Sequence, residues 1–340
     1  MRRHRTAAAG AAAAAGALLA GALSATAATA ATPSAPPAST IASFTQQQTQ
    51  RQAQDFWTPE RMRSATPLDA LPLDGGALKA LKAPKTLKAP GAQAETTVVP
   101  PTAPASSSTL GPAAFPQAGG AWNDGGAVVK TSGRVFFTFQ GRTASCSGNS
   151  VTSANGSTVI TAGHCVKYQG SWHTDWIFVP AYDNGQAPYG QWTATQTMAI
   201  DQWASSENIN YDVGAAVVAP LNGKTLTETV GAQGLEFNAG YNKRMYAFGF
   251  PAADPYDGSK LIYCSGNSSK DWLFSQDHSL GCNMTGGSSG GPWFTSFDEA
   301  TGTGLQTSVN SFGYVFLPNR MFGPYFGNEA KALYDKAQVS

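Results

Sequence analysis

From residue 120 onward, short apolar runs alternate with clusters of Gly, Asn, Asp, Ser and Pro. The runs are Arg134–Gln140, Ser157–Ala162, Trp176–Val179, Val213–Val218, Met245–Phe250, Leu261–Cys264 and Leu305–Phe312. Each is too short for an amphipathic helix and is bounded by turn formers, so each predicts a strand; together they predict an all-β barrel or sandwich. Pro292-Trp293-Phe294 adds a further strand start. The single clear helix signal is at the end, where Asn328 can cap Glu329–Ala337 and Ala330, Leu333 and Tyr334 share one face. A chain of this length beyond residue 119 can bury two small cores.

The first 119 residues have a different texture. Met-Arg-Arg-His-Arg precedes an Ala/Leu/Gly stretch over 7–23, and Ala-x-Ala sites follow. That is the layout of a secretory leader, assigned to 1–30; the stretch has few large apolar residues for a membrane anchor. Residues 31–119 read as a propeptide with linkers. Gln47–Gln54 is a polar run, and Thr45–Ser64 predicts a short helix. Leu78–Pro90 is rich in Lys, Ala, Leu and Pro, and Thr96–Pro116 reads as extended or disordered. Nothing in 31–119 predicts a core. The expected division is therefore leader 1–30, pro-region 31–119 and a strand-rich domain 120–340.

Charge changes the choice of partner. Residues 1–119 carry ten basic and five acidic side chains, whereas 120–340 carry twelve and sixteen. A mildly acidic domain presents no basic face for nucleic acid. Four cysteines, Cys146, Cys165, Cys264 and Cys282, all lie beyond residue 119. An even number in an exported chain predicts two disulfides, with three pairings open. A zinc site is disfavoured, because there is no Cys-x-x-Cys and only one histidine adjoins a cysteine. The expected product is a secreted, extracellular monomer with no membrane contact after the leader is removed.

Three short stretches carry the chemistry. Thr-Ala-Gly-His-Cys (161–165) supplies an imidazole, Asn-Tyr-Asp-Val (210–213) a carboxylate, and Gly-Gly-Ser-Ser-Gly-Gly-Pro (286–292) a hydroxyl. A serine hydroxyl is a weak nucleophile until a histidine takes its proton and a carboxylate fixes that histidine's tautomer. His164, Asp212 and Ser289 are the candidates. Asp212 opens the apolar run Val213–Val218, where a charge is costly unless paired. His173 and His278 sit in polar surroundings and read as solvated surface residues. Gly-x-Ser-x-Gly also fits the nucleophile elbow of α/β-hydrolases, but that fold needs its histidine after the serine and none follows residue 278.

With these motifs in the order His, Asp, Ser, the chain resembles the trypsin/chymotrypsin-like serine endopeptidases, and within them a secreted bacterial branch that includes glutamyl endopeptidases. The resemblance covers residues 120–340. It implies two antiparallel six-stranded β-barrels with a C-terminal helix, His164 and Asp212 from the first barrel and Ser289 from the second. It implies an oxyanion hole from the Gly287 and Ser289 amides and a sequential disulfide pairing, Cys146–Cys165 and Cys264–Cys282, the first pinning the His164 loop. Ser311-Phe312-Gly313 matches the family's Ser-aromatic-Gly strand, which pairs with substrate and lines the S1 pocket. Two departures are visible. Ser288 stands where many animal members have the Asp that receives the new N-terminal ammonium. Asn283, six residues before the nucleophile, replaces the Asp of a Lys/Arg pocket, and Asn310 occupies the region where glutamyl endopeptidases place a histidine. The implied activity is peptide-bond hydrolysis on protein or peptide substrates, without metal or organic cofactor. A secreted binding protein on the same scaffold, or an esterase using the same triad, are the other readings.

Overall fold

Six strands close a ring in the first half of the domain. The order is Trp192–Ile200, Thr174–Pro180, Ser132–Phe139, Arg142–Val151, Thr158–Thr161 and Gly214–Val218, the last pairing back onto Trp192–Ile200. The computed structural model describes residues 40–68, 71–73, 94–103 and 113–340. The leader (1–30) and the Leu78–Pro90 segment lie outside the described residues, as do residues 104–112 of Thr96–Pro116.

The two-residue period of a strand shows in the side chains. Val135 and Phe137 enter one core cluster, while Phe136 between them enters another. Trp176 and Phe178 alternate with Ile177 and Val179 in the same way. Both faces of these strands are covered, which is why they read as unbroken apolar runs.

The outer cover comes in part from residues expected to build no core, and that expectation is corrected. Ala53, Trp57, Met62 and Ala65 are buried in the cluster that holds Phe136, Ile177 and Val179. Ala53 and Met62 sit on two short helices, Gln50–Phe56 and Pro59–Ser64, and Trp57 and Ala65 follow as their C-caps. Thr49 and Gln52 make a reciprocal cap on the first, and Thr58 with Pro59 starts the second. Before them, Ile41–Thr45 pairs antiparallel with Trp192–Ile200, along an edge that Thr174–Pro180 leaves free beyond Thr193. The apolar residues of this segment are few and widely spaced in a polar run, so periodicity alone missed them.

The second half contains two sheets. One has seven strands in the order Thr97–Val99, Gly234–Phe237, Thr303–Val309, Pro292–Asp298, Arg244–Gly249, Ile262–Asn267 and Gln117–Ala121. The other has five: Ser269–Lys270, His278–Gly281, Arg320–Gly323, Phe312–Tyr314 and Leu71–Leu73. The Cys264–Cys282 disulfide joins Ile262–Asn267 of the first sheet to the end of His278–Gly281 in the second. The run expected as one strand over Leu305–Phe312 is two, broken at Asn310–Ser311.

The terminal helix, Asn328–Ala337, buries Ala330, Leu333, Tyr334 and Ala337 as its apolar spacing requires. Its cap residue is Gly327, one position earlier than expected, and Asn328 instead accepts a hydrogen bond from Asn238 Nδ2 at 3.0 Å. No helix among the described residues is long and apolar enough to cross a membrane.

Candidate active site

Strand Thr158–Thr161 runs into a single 3-10 turn, Gly163–Cys165, which carries His164. The Cys146–Cys165 disulfide ties that turn to Arg142–Val151, so both expected bridges are present in the sequential pairing. A second 3-10 turn, Ile209–Tyr211, leads through Asp212 into Gly214–Val218. Thr161 and Gly214 are register partners, so strand pairing brings together two side chains that lie 48 residues apart.

Asp212 is fully buried and accepts three hydrogen bonds. Its Oδ1 takes the His164 backbone N–H at 2.7 Å. Its Oδ2 lies 2.7 Å from His164 Nδ1 and accepts the Ser311 hydroxyl at 2.5 Å. These donors offset the desolvation of a buried carboxylate and fix the ring's orientation. Gly163 is needed for the approach: a Cβ there would stand 2.9 Å from Asp212 Oδ1 and 2.6 Å from the Trp203 ring.

The Ser289 loop is held by neutral hydrogen bonds whose supporting role the sequence did not show. Ser147 donates its N–H to Ser289 O at 2.7 Å and its hydroxyl to Gly287 O at 2.9 Å. Asn310 Nδ2 donates to Ser288 O at 3.0 Å and to Phe248 O at 2.8 Å, while its Oδ1 accepts from Trp293 Nε1 at 2.7 Å. The Ser288 hydroxyl donates to Thr285 O at 2.7 Å, so the position that is acidic in many animal relatives is satisfied here without charge. Gly287 has φ +92°, a backbone angle open to glycine and strained for other residues. Its N–H points out of the loop and donates to Leu68 O at 3.0 Å. Ser289 Oγ and His164 Nε2 are both buried, and neither has a hydrogen-bond partner among the described residues.

The expected pocket residues divide. Asn283 and Gly313 line a cavity of about 430 Å³ together with Met284, Thr285 and Tyr314. Asn283 Oδ1 accepts the Tyr256 hydroxyl at 2.6 Å. Ser311 turns its side chain to Asp212, and Phe312 is buried against Phe322 at 5.1 Å between ring centres. Those two residues can offer a substrate only their backbone. The polar strand Arg142–Val151 drew no strand reading because its serines and asparagine are buried through hydrogen bonds rather than by apolar side chains: Ser145 accepts from Arg134, and Asn149 donates to Gln306.

Two histidines expected at the surface are instead buried. His173 stacks on Phe137 at 4.2 Å, and its Nε2 lies 2.8 Å from His164 O, which makes Nε2 the donor. His278 packs between Tyr241 and Tyr325. Burial pushes both rings down to about 3. An imidazole depressed in the folded state stabilises the fold above the unfolded value near 6.5 and loses that contribution as pH falls. Buried Asp277, raised well above its ordinary value by desolvation and by Asp271, works in the opposite sense and offsets part of the loss. The melting temperature is therefore expected to fall between pH 7 and pH 5. His278→Phe should flatten that slope by roughly 1.4 kcal/mol per pH unit, one proton's worth. Melts of both proteins across the range check this, and parallel slopes would refute it.

No family model matches the chain. One curated relative, the extracellular metalloprotease of Bacillus subtilis (strain 168), is 34% identical over 73 residues, 21% of this chain; the match spans only 23% of that protein's length. The one group of three potential metal donors among the described residues is Cys146, His164 and Cys165, and its two sulfurs form a disulfide with no thiolate to offer. Among solved structures, protease Anisep from Arthrobacter nicotinovorans is 47% identical, with 62% of this chain and 96% of that one covered and a TM-score of 0.59. A thermostable serine protease, AL20, from an extremophilic microorganism is 40% identical, over 63% of this chain and 99% of that one, at 0.60. A Glu endopeptidase is 16% identical over 65% and 97%, at 0.53, and shares the fold. Two relatives spanned almost end to end at this identity, together with the closed six-stranded barrel, place the chain in the bacterial trypsin-like serine proteases, enzymes that hydrolyse peptide bonds.

Proposed function

We propose that this chain is a secreted endopeptidase in which Ser289 is the nucleophile, His164 the general base and Asp212 the orienting carboxylate. The observation that carries the reading is the buried His164–Asp212 pair, fixed at both the ring nitrogen and the backbone N–H. With Nδ1–H donated to Asp212, Nε2 is the nitrogen left to accept the Ser289 proton. His164 removes the Ser289 proton as Oγ attacks the peptide carbonyl. The resulting imidazolium is stabilised by Asp212, and the oxyanion by the Gly287 and Ser289 amides. Collapse returns the proton to the leaving amine and leaves an acyl-Ser289, which water attacks with His164 again as base. Every proton moves between chain, substrate and water.

The cavity beside Asn283 and Gly313 supports the assignment of the S1 pocket, and Asn283 brings no charge to it. Ser311 is a positioning residue for the triad. Its replacement by Ala removes one hydrogen bond to the carboxylate and should lower kcat/KM by about tenfold to a hundredfold, mainly in kcat. Steady-state kinetics of the two proteins on one peptide substrate check that.

The assignment itself is tested by reacting the processed protein with a fluorophosphonate and locating the adduct by mass spectrometry. The adduct should sit on Ser289 and be absent after Ser289→Ala. Labelling elsewhere, or undiminished hydrolysis in the variant, overturns the reading.

A further inference from the structure

The segment before the protease domain reaches the catalytic loop. Leu68 donates its N–H to Ser145 O at 2.9 Å, and its carbonyl accepts the Gly287 N–H at 3.0 Å. That amide is the one assigned above to the oxyanion. Just upstream, Thr66–Pro67 pairs parallel with Ala144 and Ser145. Just downstream, Leu71–Leu73 pairs parallel with Phe312–Tyr314, the strand that borders the cavity. A donor and a strand needed for substrate are thus both taken by the chain's own backbone.

The polarity of this contact separates it from a substrate. In any peptide being acylated, the residues of the acyl half precede the carbonyl under attack. Here the residues lying on the pocket-side strand, 71–73, follow the carbonyl held by Gly287. We propose that the cleft of this protease accepts its own pro-segment as a peptide ligand threaded in the reverse direction, blocking the site without presenting a cleavable bond. The inference rests on the role given above to Ser289 and Gly287. It fits the full burial of His164 and Ser289.

The segment is anchored well away from the cleft. Trp57 is completely buried, donates Nε1–H to Asp175 O at 2.6 Å and packs on Phe136 at 5.5 Å between ring centres. Gln191 Nε2 donates to Trp57 O at 2.8 Å, and Ile41–Thr45 adds five register pairs to the barrel. Such anchoring supplies binding energy from residues that play no part in the chemistry, so the blocking stretch itself can be short.

The test uses the full chain, the Trp57→Ala and Trp57→Phe variants, and Ser289→Ala. Each is reacted with a fluorophosphonate, with and without a synthetic peptide of residues 40–73. The full chain should label slowly. Trp57→Ala should label about tenfold or more faster, because truncating a buried anchor shifts the segment toward the released state. Trp57→Phe keeps an aromatic ring but loses the Nε1–H bond and part of the buried ring volume; it should fall between the two, and it carries the comparison if the alanine variant does not fold. Added peptide should slow the variants back toward the wild-type rate, competitively with a peptide substrate. Equal labelling rates in all Trp57 forms, or no effect of the peptide, would overturn the inference while leaving Ser289-dependent labelling in place. Loss of labelling at Ser289 in every form would overturn the catalytic reading, and the inference with it.

Discussion

Ser289→Ala should reduce kcat/KM on a peptide substrate by about 10⁶-fold, with little change in melting temperature. The activity loss follows from the role proposed for the hydroxyl: without Oγ no acyl-enzyme would form, and the residual rate would be what the oxyanion amides and bound geometry supply to water. The small stability effect has a separate cause. Ser289 Oγ makes no hydrogen bond among the described residues, so its removal leaves no partner unsatisfied. The loop's shape depends instead on the Ser289 carbonyl, which Ser147 holds, and on Asn310 at Ser288. Wild type and variant must be compared after identical treatment with an added protease, since the full chain carries Leu68 on the Gly287 amide. Retention of more than about 1% of wild-type activity would rule out Ser289 as the nucleophile, because such a loss is far below the scale expected for a triad serine.

The parts of the candidate site that the sequence proposes are those that depend on local order. His164, Asp212 and Ser289 each sit in a stretch whose neighbours have a distinct job: a cysteine that bridges, a strand that buries, glycines that permit an unusual angle. Chain order then excluded the α/β-hydrolase alternative. Strands with both faces buried, such as Thr174–Pro180, were equally visible, because their apolar runs are continuous. The residues that were missed act across long separations. Ser147 reaches Gly287 from 140 positions away, and nothing in Arg-Thr-Ala-Ser-Cys-Ser marks it as support for a nucleophile. Asn310 was noticed as a departure in a specificity pocket; its buried amide instead braces Ser288 and Phe248. His173 and His278 looked like surface residues because their neighbours in sequence are polar, yet their partners in space are aromatic. The segment around Trp57 shows the same limit. A tryptophan in a glutamine-rich stretch has no visible core until the barrel's outer face exists to receive it.

Asp212→Asn is expected to lower kcat about 10⁴-fold while changing KM by only a few-fold. The two carboxylate oxygens have different neighbours, and the substitution cannot satisfy both. An Asn placed with its oxygen toward the His164 backbone N–H must turn its NH₂ toward Nδ1, where Oδ2 now lies 2.7 Å away. A donor at that position selects the tautomer with the proton on Nε2, and a protonated Nε2 cannot accept the Ser289 proton. The reverse placement puts NH₂ against the His164 N–H, a donor facing a donor in a fully buried site. In either orientation the residue still fills its volume beside Gly163 and Ser311, so the defect should lie in proton transfer and leave substrate binding close to normal. Proton NMR of the His164 ring in the variant would report the tautomer directly. A variant that kept wild-type kcat, or whose Nε2 remained unprotonated, would show that Asp212 only packs beside the histidine and does not set its state.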